Sequence, residues 1–348
     1  MPLSRRHLMT SALTLGAMHA FPALTMAQAR RLVFATFTGS WEEAHKDVLV
    51  PHFRKNNNNA EMTLDPMLSV DQIAKVKAAL QNPPIDVMLH DPGPALQAID
   101  QGLIEPFPVE KSAYYKDLLA DAQDPMGPAP FFQVVGITYN PEKIKTPPTS
   151  WADIWKPEYK GRVGITNLNS TLGTGWLVEI ARMRGGSESN VEAAFKGIEE
   201  LKPNLAAVAA NPGQLATLYQ QGQIDIGPGN FNAIQILKAR GVPVEFVAPK
   251  EGAIAFKTTM HIVKNSQNKE LAAKLIESAL SPEVQATLMA SPYLIVPTNT
   301  KVKMGGEIAK ALAKDHDDIK KKFVFQDWRK INEQRAQWIE RFNRDIKM

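Results

Sequence analysis

Three short stretches of this sequence carry small, hydroxylic or amide side chains in candidate site loops, and two of them stand just ahead of a helix-compatible run. In that arrangement the first main-chain N–H groups of the helix are left free, and the helix dipole and the N–H bonds both favour an anion. Thr38-Gly39-Ser40-Trp41 is the first. Gly39 allows the backbone close approach to a ligand, and Ser40 can cap the helix. Trp41 either stacks on a bound molecule or packs on the protein surface. The second is Asn167 to Gly175, which includes Asn169, Ser170, Thr171, Gly173 and Thr174 and precedes a helical run from Trp176 to Met183. It reads either as an anion site or as a simple cap and turn. With no Gly-Lys-Ser/Thr ending, it is not a nucleotide phosphate loop. The third is Gly227-Pro228-Gly229-Asn230-Phe231-Asn232, which closes a strand. Asp91, in His90-Asp91-Pro92-Gly93, is the one carboxylate placed at the mouth of such a site, unless it caps the helix that follows.

Other chemistry finds little support. The sequence has no cysteine, which excludes disulfides, thiolate nucleophiles and Cys-ligated metals. His45 and His52 are seven apart on what reads as an exposed helix, without clustered carboxylates, so no metal and no cofactor is expected. Neither a Gly-x-Ser-x-Gly elbow nor a His-Glu-x-x-His helix occurs. Paired carboxylates leave a secreted hydrolase as an alternative, but the expectation is that the protein is not an enzyme.

The N-terminus belongs to a separate regime. Ser4-Arg5-Arg6-His7-Leu8-Met9 is a twin-arginine pattern, followed by a moderately apolar stretch from Ser11 to Leu24 and small residues at Ala27-Gln28-Ala29. This is the layout of a secretory signal, here of the twin-arginine type, cleaved near Ala29 into the periplasm. Removing 29 of the 348 residues leaves 319. Taking Arg5 and Arg6 from 40 basic residues leaves 38 against 36 acidic ones, a net of +2. So even a balance gives no footprint for nucleic acid. No apolar run after Ala29 approaches the roughly 20 residues of a membrane span, and there is no cysteine for lipid attachment. The expected product is unanchored and monomeric.

The elements that would position these loops alternate between short apolar runs and longer helical ones, the mark of an α/β architecture. Strand-like runs lie at residues 31–37, 85–89, 134–139, 162–165, 224–226 and 244–247, apolar at odd and even positions alike. Val70 to Leu80 and Leu271 to Leu280 carry apolar stripes of helical period. Asn211-Pro212 ahead of Gln214 to Gln221 reads as a capped helix. Pro51 is expected to bend or break a helix over 42–55, and Asn56 to Asn59 marks the exit from it. Residues 307–348 read as one or two helices anchored by Phe323, Phe325, Trp328, Ile331, Trp338, Ile339 and Phe342.

Several patterns, taken in order, resemble the extracellular solute-binding proteins of the spermidine/putrescine-binding type. They are Phe37 to Glu43 with Val50-Pro51-His52-Phe53; Ile85 to Asp91 with Gln101 to Pro106; Gly136 to Asn140; Thr149-Ser150-Trp151-Ala152-Asp153-Ile154-Trp155 through Val163; and Pro249 to Gly252 with Asn268 to Ala272. The resemblance implies a periplasmic binding protein type II fold, in which two α/β lobes are joined by a hinge and a solute is held in the cleft between them. Lobe one would comprise 30–136 and 257–304, and lobe two 137–256 and 305–348. Phe256, Lys257 and Thr258 would then join the site where the chain returns to lobe one. The implied partner is an ABC permease in the inner membrane, although a sensory binding protein would have the same sequence. Polyamine-binding relatives neutralise their ligand with carboxylates. The matching stretches here show Asn167, Asn169, Ser170, Thr171, Thr258 and Lys257 instead. Burying a polycation without partners costs several kcal/mol per charge, so the expected solute is anionic or zwitterionic, with a polyamine as the alternative.

Overall fold

The computed structural model describes residues 31–346, so the expected export signal lies outside the described residues. Among the described residues, twelve strands form one mixed sheet. They are β1 (Leu32–Thr36), β2 (Met62–Pro66), β3 (Val87–His90), β4 (Ile104–Glu105), β5 (Phe131–Tyr139), β6 (Val163–Thr166), β7 (Leu205–Ala209), β8 (Ile226–Asn230), β9 (Glu245–Val247), β10 (Ala253–Val263), β11 (Val296–Pro297) and β12 (Phe323–Val324). The main path runs β2-β1-β3-β10-β5-β8-β6-β7. Each end of this path is parallel, β1 with β2 and β3, and β6 with β7 and β8. The middle is antiparallel and is made by the two longest strands. β10 pairs with β5 over Ile254 to Thr258, then with β3 over Thr259 to Ile262. The switch of partner between Thr258 and Thr259 makes β10 the link between the two halves of the sheet. Five of the six predicted strand runs are present; the sixth, 224–226, meets its strand only at Ile226, because β8 is built from Ile226–Asn230 and takes in most of the stretch expected to close it.

Thirteen α-helices among the described residues flank the sheet: α1 (Ser40–Ala44), α2 (Val50–Asn56), α3 (Ser69–Ala78), α4 (Pro92–Asp100), α5 (Thr171–Met183), α6 (Glu192–Leu201), α7 (Pro212–Gln220), α8 (Phe231–Ala239), α9 (Lys269–Leu280), α10 (Pro282–Met289), α11 (Gly306–Ala311), α12 (His316–Lys322) and α13 (Trp328–Asp345). α7 begins as its sequence predicts: Asn211 Oδ1 accepts from the Gln214 N–H at 2.9 Å, with Pro212 in the first turn. Pro51 does not break its helix. A π-helical turn at His45–Leu49 joins α1 to α2, and Pro51 falls in the first turn of α2. Asn58 and Asn59 take positive φ where the chain leaves α2, as the run of four asparagines predicts.

Each half of the sheet has its own core. Phe34, Val87, Leu89 and Met260 pack with Leu275 and Ile276 of α9 in the first. In the second, Val163 and Ile165 of β6 pack with Trp176 and Ile180 of α5, Ile198 of α6, and Trp328, Trp338 and Phe342 of α13. Burying one such side chain stabilises the fold by about 1.5–3 kcal/mol. The C-terminal segment forms three helices instead of one or two, and Phe325, expected to be an anchor, is 40% exposed. Its ring meets Phe132 edge-on with centroids 5.5 Å apart.

Candidate functional site

The first turns of several helices meet around one cavity of about 200 Å³ between the two halves of the sheet. From the first half come the loop Thr38-Gly39-Ser40-Trp41, Leu68 to Val70 at the start of α3, and Asp91 before α4. From the second come Asn169 to Leu172 at the start of α5, Pro212 and Gly213 of α7, and Asn230 with Ala233, Ile236 and Leu237 of α8. Gln133 and Phe256 reach in from β5 and β10. The N-cap residues of α1, α3, α4, α5 and α8 are Gly39, Leu68, Asp91, Ser170 and Asn230, and none caps with its side chain. The first N–H groups of α1, α5 and α8 are therefore left for something in the cavity, whereas Pro92 and Pro94 remove two of the first three donors of α4 and the Asp71 N–H of α3 donates to the Leu68 carbonyl at 3.0 Å; the helix dipoles add a positive potential there. Gly39 has φ 73°, which puts this N-cap in a conformation glycine tolerates.

Two carboxylates line the cavity. Glu43 sits at the rim and accepts from Arg240 Nη2 at 2.6 Å. Asp91 lies inside: its Oδ1 accepts from Gln133 Nε2 at 2.6 Å, and the Thr171 hydroxyl stands near it. Burial raises the Asp91 pKa, against the lowering effect of Thr171, Gln133 and Arg335. Its main-chain N–H donates to Ser69 Oγ at 3.2 Å. Asp91 thus occupies the N-cap position of α4 while its side chain faces the cavity. One acidic oxygen among many free donors can hold an ammonium group next to an anion.

A family model for bacterial extracellular solute-binding proteins matches residues 82–334. The chain belongs to that family. The spermidine/putrescine-binding periplasmic protein of Escherichia coli strain K12 is 34% identical over 142 residues, which is 39% of this chain and 39% of that protein. The match to this relative therefore spans well under half of its length. A gamma-aminobutyric acid-binding protein of Pseudomonas aeruginosa is 24% identical over 311 residues, 84% of each. The crystal structure of an ABC transporter protein from Clostridium perfringens superposes with a TM-score of 0.71 at 27% identity, covering 91% of this chain and 100% of that one. The fold is that of the periplasmic binding proteins, with two α/β lobes, a hinge and a cleft between them.

In this solute-binding protein, ten of the residues singled out in the sequence line the cleft cavity: Thr38, Gly39, Ser40, Trp41, Asp91, Asn169, Ser170, Thr171, Asn230 and Phe256. Ser40 is the first helical residue and does not cap α1. Trp41 is 3% exposed and packs edge-on against Phe37, so its ring is mostly core with one border on the cavity. Six others are placed elsewhere. Gly173 turns inward beneath the loop, where an added Cβ would stand 2.2 Å from the Asn167 carbonyl oxygen. Thr174 is fully buried and its hydroxyl donates to the Leu168 carbonyl at 2.7 Å. Phe231 packs on Phe246 with ring centroids 5.0 Å apart. Asn232 lies just outside the cavity and donates from Nδ2 to Ser40 Oγ at 3.1 Å. Thr258 is covered by Gln133, whose Nε2 donates to its hydroxyl at 3.2 Å. Lys257 follows the alternation of β10 and points away from Phe256, into a separate cavity beside His261 and Asp124.

His45 is not on an exposed surface: it is fully buried, its Nδ1 is 2.6 Å from the Thr36 hydroxyl, and burial pushes its pKa down to about 3. The motif Ser150-Trp151-Ala152-Asp153 is structural. Ser150 and Asp153 form a capping box, and Ser150 Oγ donates to Glu251 Oε1 at 2.5 Å. Sequence reasoning missed Ser69, Gln133, Glu43 and Arg240. Gln133 had a signal, as the lone polar side chain in the apolar run Phe131 to Ile137. Among the described residues there is no cluster of His, Cys, Asp or Glu able to hold a metal, and no helix long and apolar enough to cross a membrane.

Proposed function

We propose that this protein is the solute-binding component of an ABC importer and takes a small zwitterionic or anionic solute between its lobes. Lobe one would comprise 30–136 with 257–304, and lobe two 137–256 with 305–348. Strands β5 and β10 pass between them as the hinge. Closure on the solute would present both lobes to an inner-membrane permease, and the site would perform no covalent chemistry. The extracellular family and the periplasmic relatives support export, in keeping with the twin-arginine pattern at Arg5-Arg6.

The observation that carries the ligand class is the meeting of five helix N-termini without side-chain caps around a cavity whose interior holds the single carboxylate Asp91. An anionic group suits the free amides of α5 and α1, and an ammonium group suits Asp91. A relative that covers most of the chain is named for gamma-aminobutyric acid, a solute of that charge pattern. Relatives named for spermidine and putrescine support the alternative. Against it, the second carboxylate at the cavity, Glu43, is already paired with Arg240.

Titration calorimetry with gamma-aminobutyrate, glutarate, a hexose phosphate, putrescine and spermidine tests the reading. Binding confined to solutes that carry a carboxylate or phosphate is expected. Tight binding of the two polyamines alone would replace it with the polyamine reading.

A further inference from the structure

Arg335 lies on the buried face of α13, four residues after Ile331 and three before Trp338, and is 3% exposed. Its Nη2 donates to the carbonyls of Asn169 at 2.8 Å and Leu168 at 3.3 Å, and its Nε to the Thr174 hydroxyl at 3.1 Å. Its guanidinium stands 5.6 Å from the Trp328 ring centre. Among the described residues no carboxylate lies within ion-pairing distance of it. A buried cation is normally paired, because desolvating it alone is costly. Here the fork is spent on the main chain of the very loop whose next residues, Ser170 and Thr171, border the cavity. The carboxylate that faces it is Asp91, inside that cavity.

We propose that Arg335 is the specificity-determining residue of the solute site. It grips the Leu168-Asn169 carbonyls from behind, and its charge, held in no direct ion pair, reserves the α5 end of the cavity for the anionic group of the solute. This rests on the zwitterion or anion reading of the cleft. The carbonyls of Leu168 and Asn169 are held by the guanidinium, so the amides of the following turn are turned the other way, toward the solute. In a water-poor setting a fixed positive charge behind those amides adds to the helix dipole. It also opposes a second ammonium group, a repulsive element against polyamines. Burial lowers the pKa of Arg335 to about 10, so it stays charged at neutral pH. The other groups around Asp91 are uncharged Gln133 and Thr171, while Glu43 and Arg240 neutralise each other at the rim.

Two substitutions separate charge from geometry. Lysine keeps the charge but has no planar fork to span three acceptors, and glutamine removes the charge. Gamma-aminobutyrate, glutarate and putrescine are titrated into wild type, R335K and R335Q, and amide exchange is followed over residues 169–173. NMR follows the titration of the Asp91 carboxyl in the same three proteins. The expected result is exchange at least tenfold faster in both variants. R335Q alone should lose tenfold or more in affinity for the carboxylate-bearing probes relative to putrescine, with a raised Asp91 pKa. An equal loss for every probe in both variants, or an unmoved Asp91 pKa in R335Q, would overturn the proposal. If R335Q does not fold, R335K decides: a selectivity ratio within about twofold of wild type is expected, and a tenfold shift overturns it. If no probe binds wild type, the reading of the cleft fails, while exchange and the Asp91 titration still judge Arg335.

Discussion

Arg240 Nη2 lies 2.6 Å from Glu43 Oε2, tying the end of α8 to α1 across the mouth of the cavity. Asn232 Nδ2 bonds to Ser40 Oγ beside it. The ion pair is half-exposed, so its worth is about 0.2–1 kcal/mol and falls with salt. R240A should therefore weaken solute binding about two- to fivefold, mainly through faster release. Stopped-flow dissociation at low and high salt checks this. The difference from wild type should shrink at high salt, and a salt-independent difference would assign the effect to packing.

Asp91 is the group on which recognition of an amine depends. D91N keeps an acceptor for Gln133 but removes the charge, and should cost at least tenfold in affinity for an amine-bearing solute. Because burial raises its pKa, wild-type affinity should fall as pH drops through that raised value and the carboxylate takes a proton. Stability runs the other way. A folded-state pKa above the unfolded one penalises the empty protein at higher pH, and the penalty disappears as pH falls. Empty D91N should then melt above empty wild type at neutral pH and match it near pH 3.5. A lower melting point for D91N at pH 7 would show that the carboxylate stabilises the empty fold.

Gly173 has no surface on the cavity, yet it lets α5 start directly beneath the loop, because any Cβ there would meet the Asn167 carbonyl oxygen at 2.2 Å. G173A must displace main chain, at a cost of about 1–3 kcal/mol. The expected outcome is a folded protein with at least tenfold weaker solute binding and a lower Tm. Unchanged affinity would separate the loop from recognition.

The fold was legible wherever one local signal determined one element. Asn211-Pro212 starts α7, and the two-sided apolar runs became strands. The site was legible where a loop of small residues met a helix start, as at Thr38 to Trp41 and Asn169 to Thr171. It was not legible where facing decides function. Phe256 and Lys257 are neighbours in sequence, but the alternation of β10 sends them to different cavities. Gln133 and Arg240 come from distant parts of the chain, and only tertiary packing brings them to the cleft. Arg335 left a readable trace, as a charged residue in register with Ile331, Trp338 and Phe342 on an apolar helix face.

Three buried histidines set the acid limit of the fold. Burial pushes the pKa of His45 down to about 3 and of His261 to about 4, and lowers that of His90 well below 6.5. Each is neutral in the folded protein but takes a proton near pH 6.5 once unfolded. Their contribution is therefore full above that pH and is lost as pH falls, toward 4 for His261 and toward 3 for His45. Each adds a slope of about 1.4 kcal/mol per pH unit. Urea unfolding at pH 7, 6 and 5 should show a steep fall, reduced by roughly a third in H45Q. A flat profile would mean that these side chains protonate in place.

The most direct test is a crystal structure of the protein with the tightest-binding member of the solute panel. Density is expected in the cleft, with an anionic group on the first turn of α5 and any ammonium group at Asp91. Solute seated elsewhere, such as the Lys257 cavity behind β10, or with an ammonium group against the amides of α5, would contradict it.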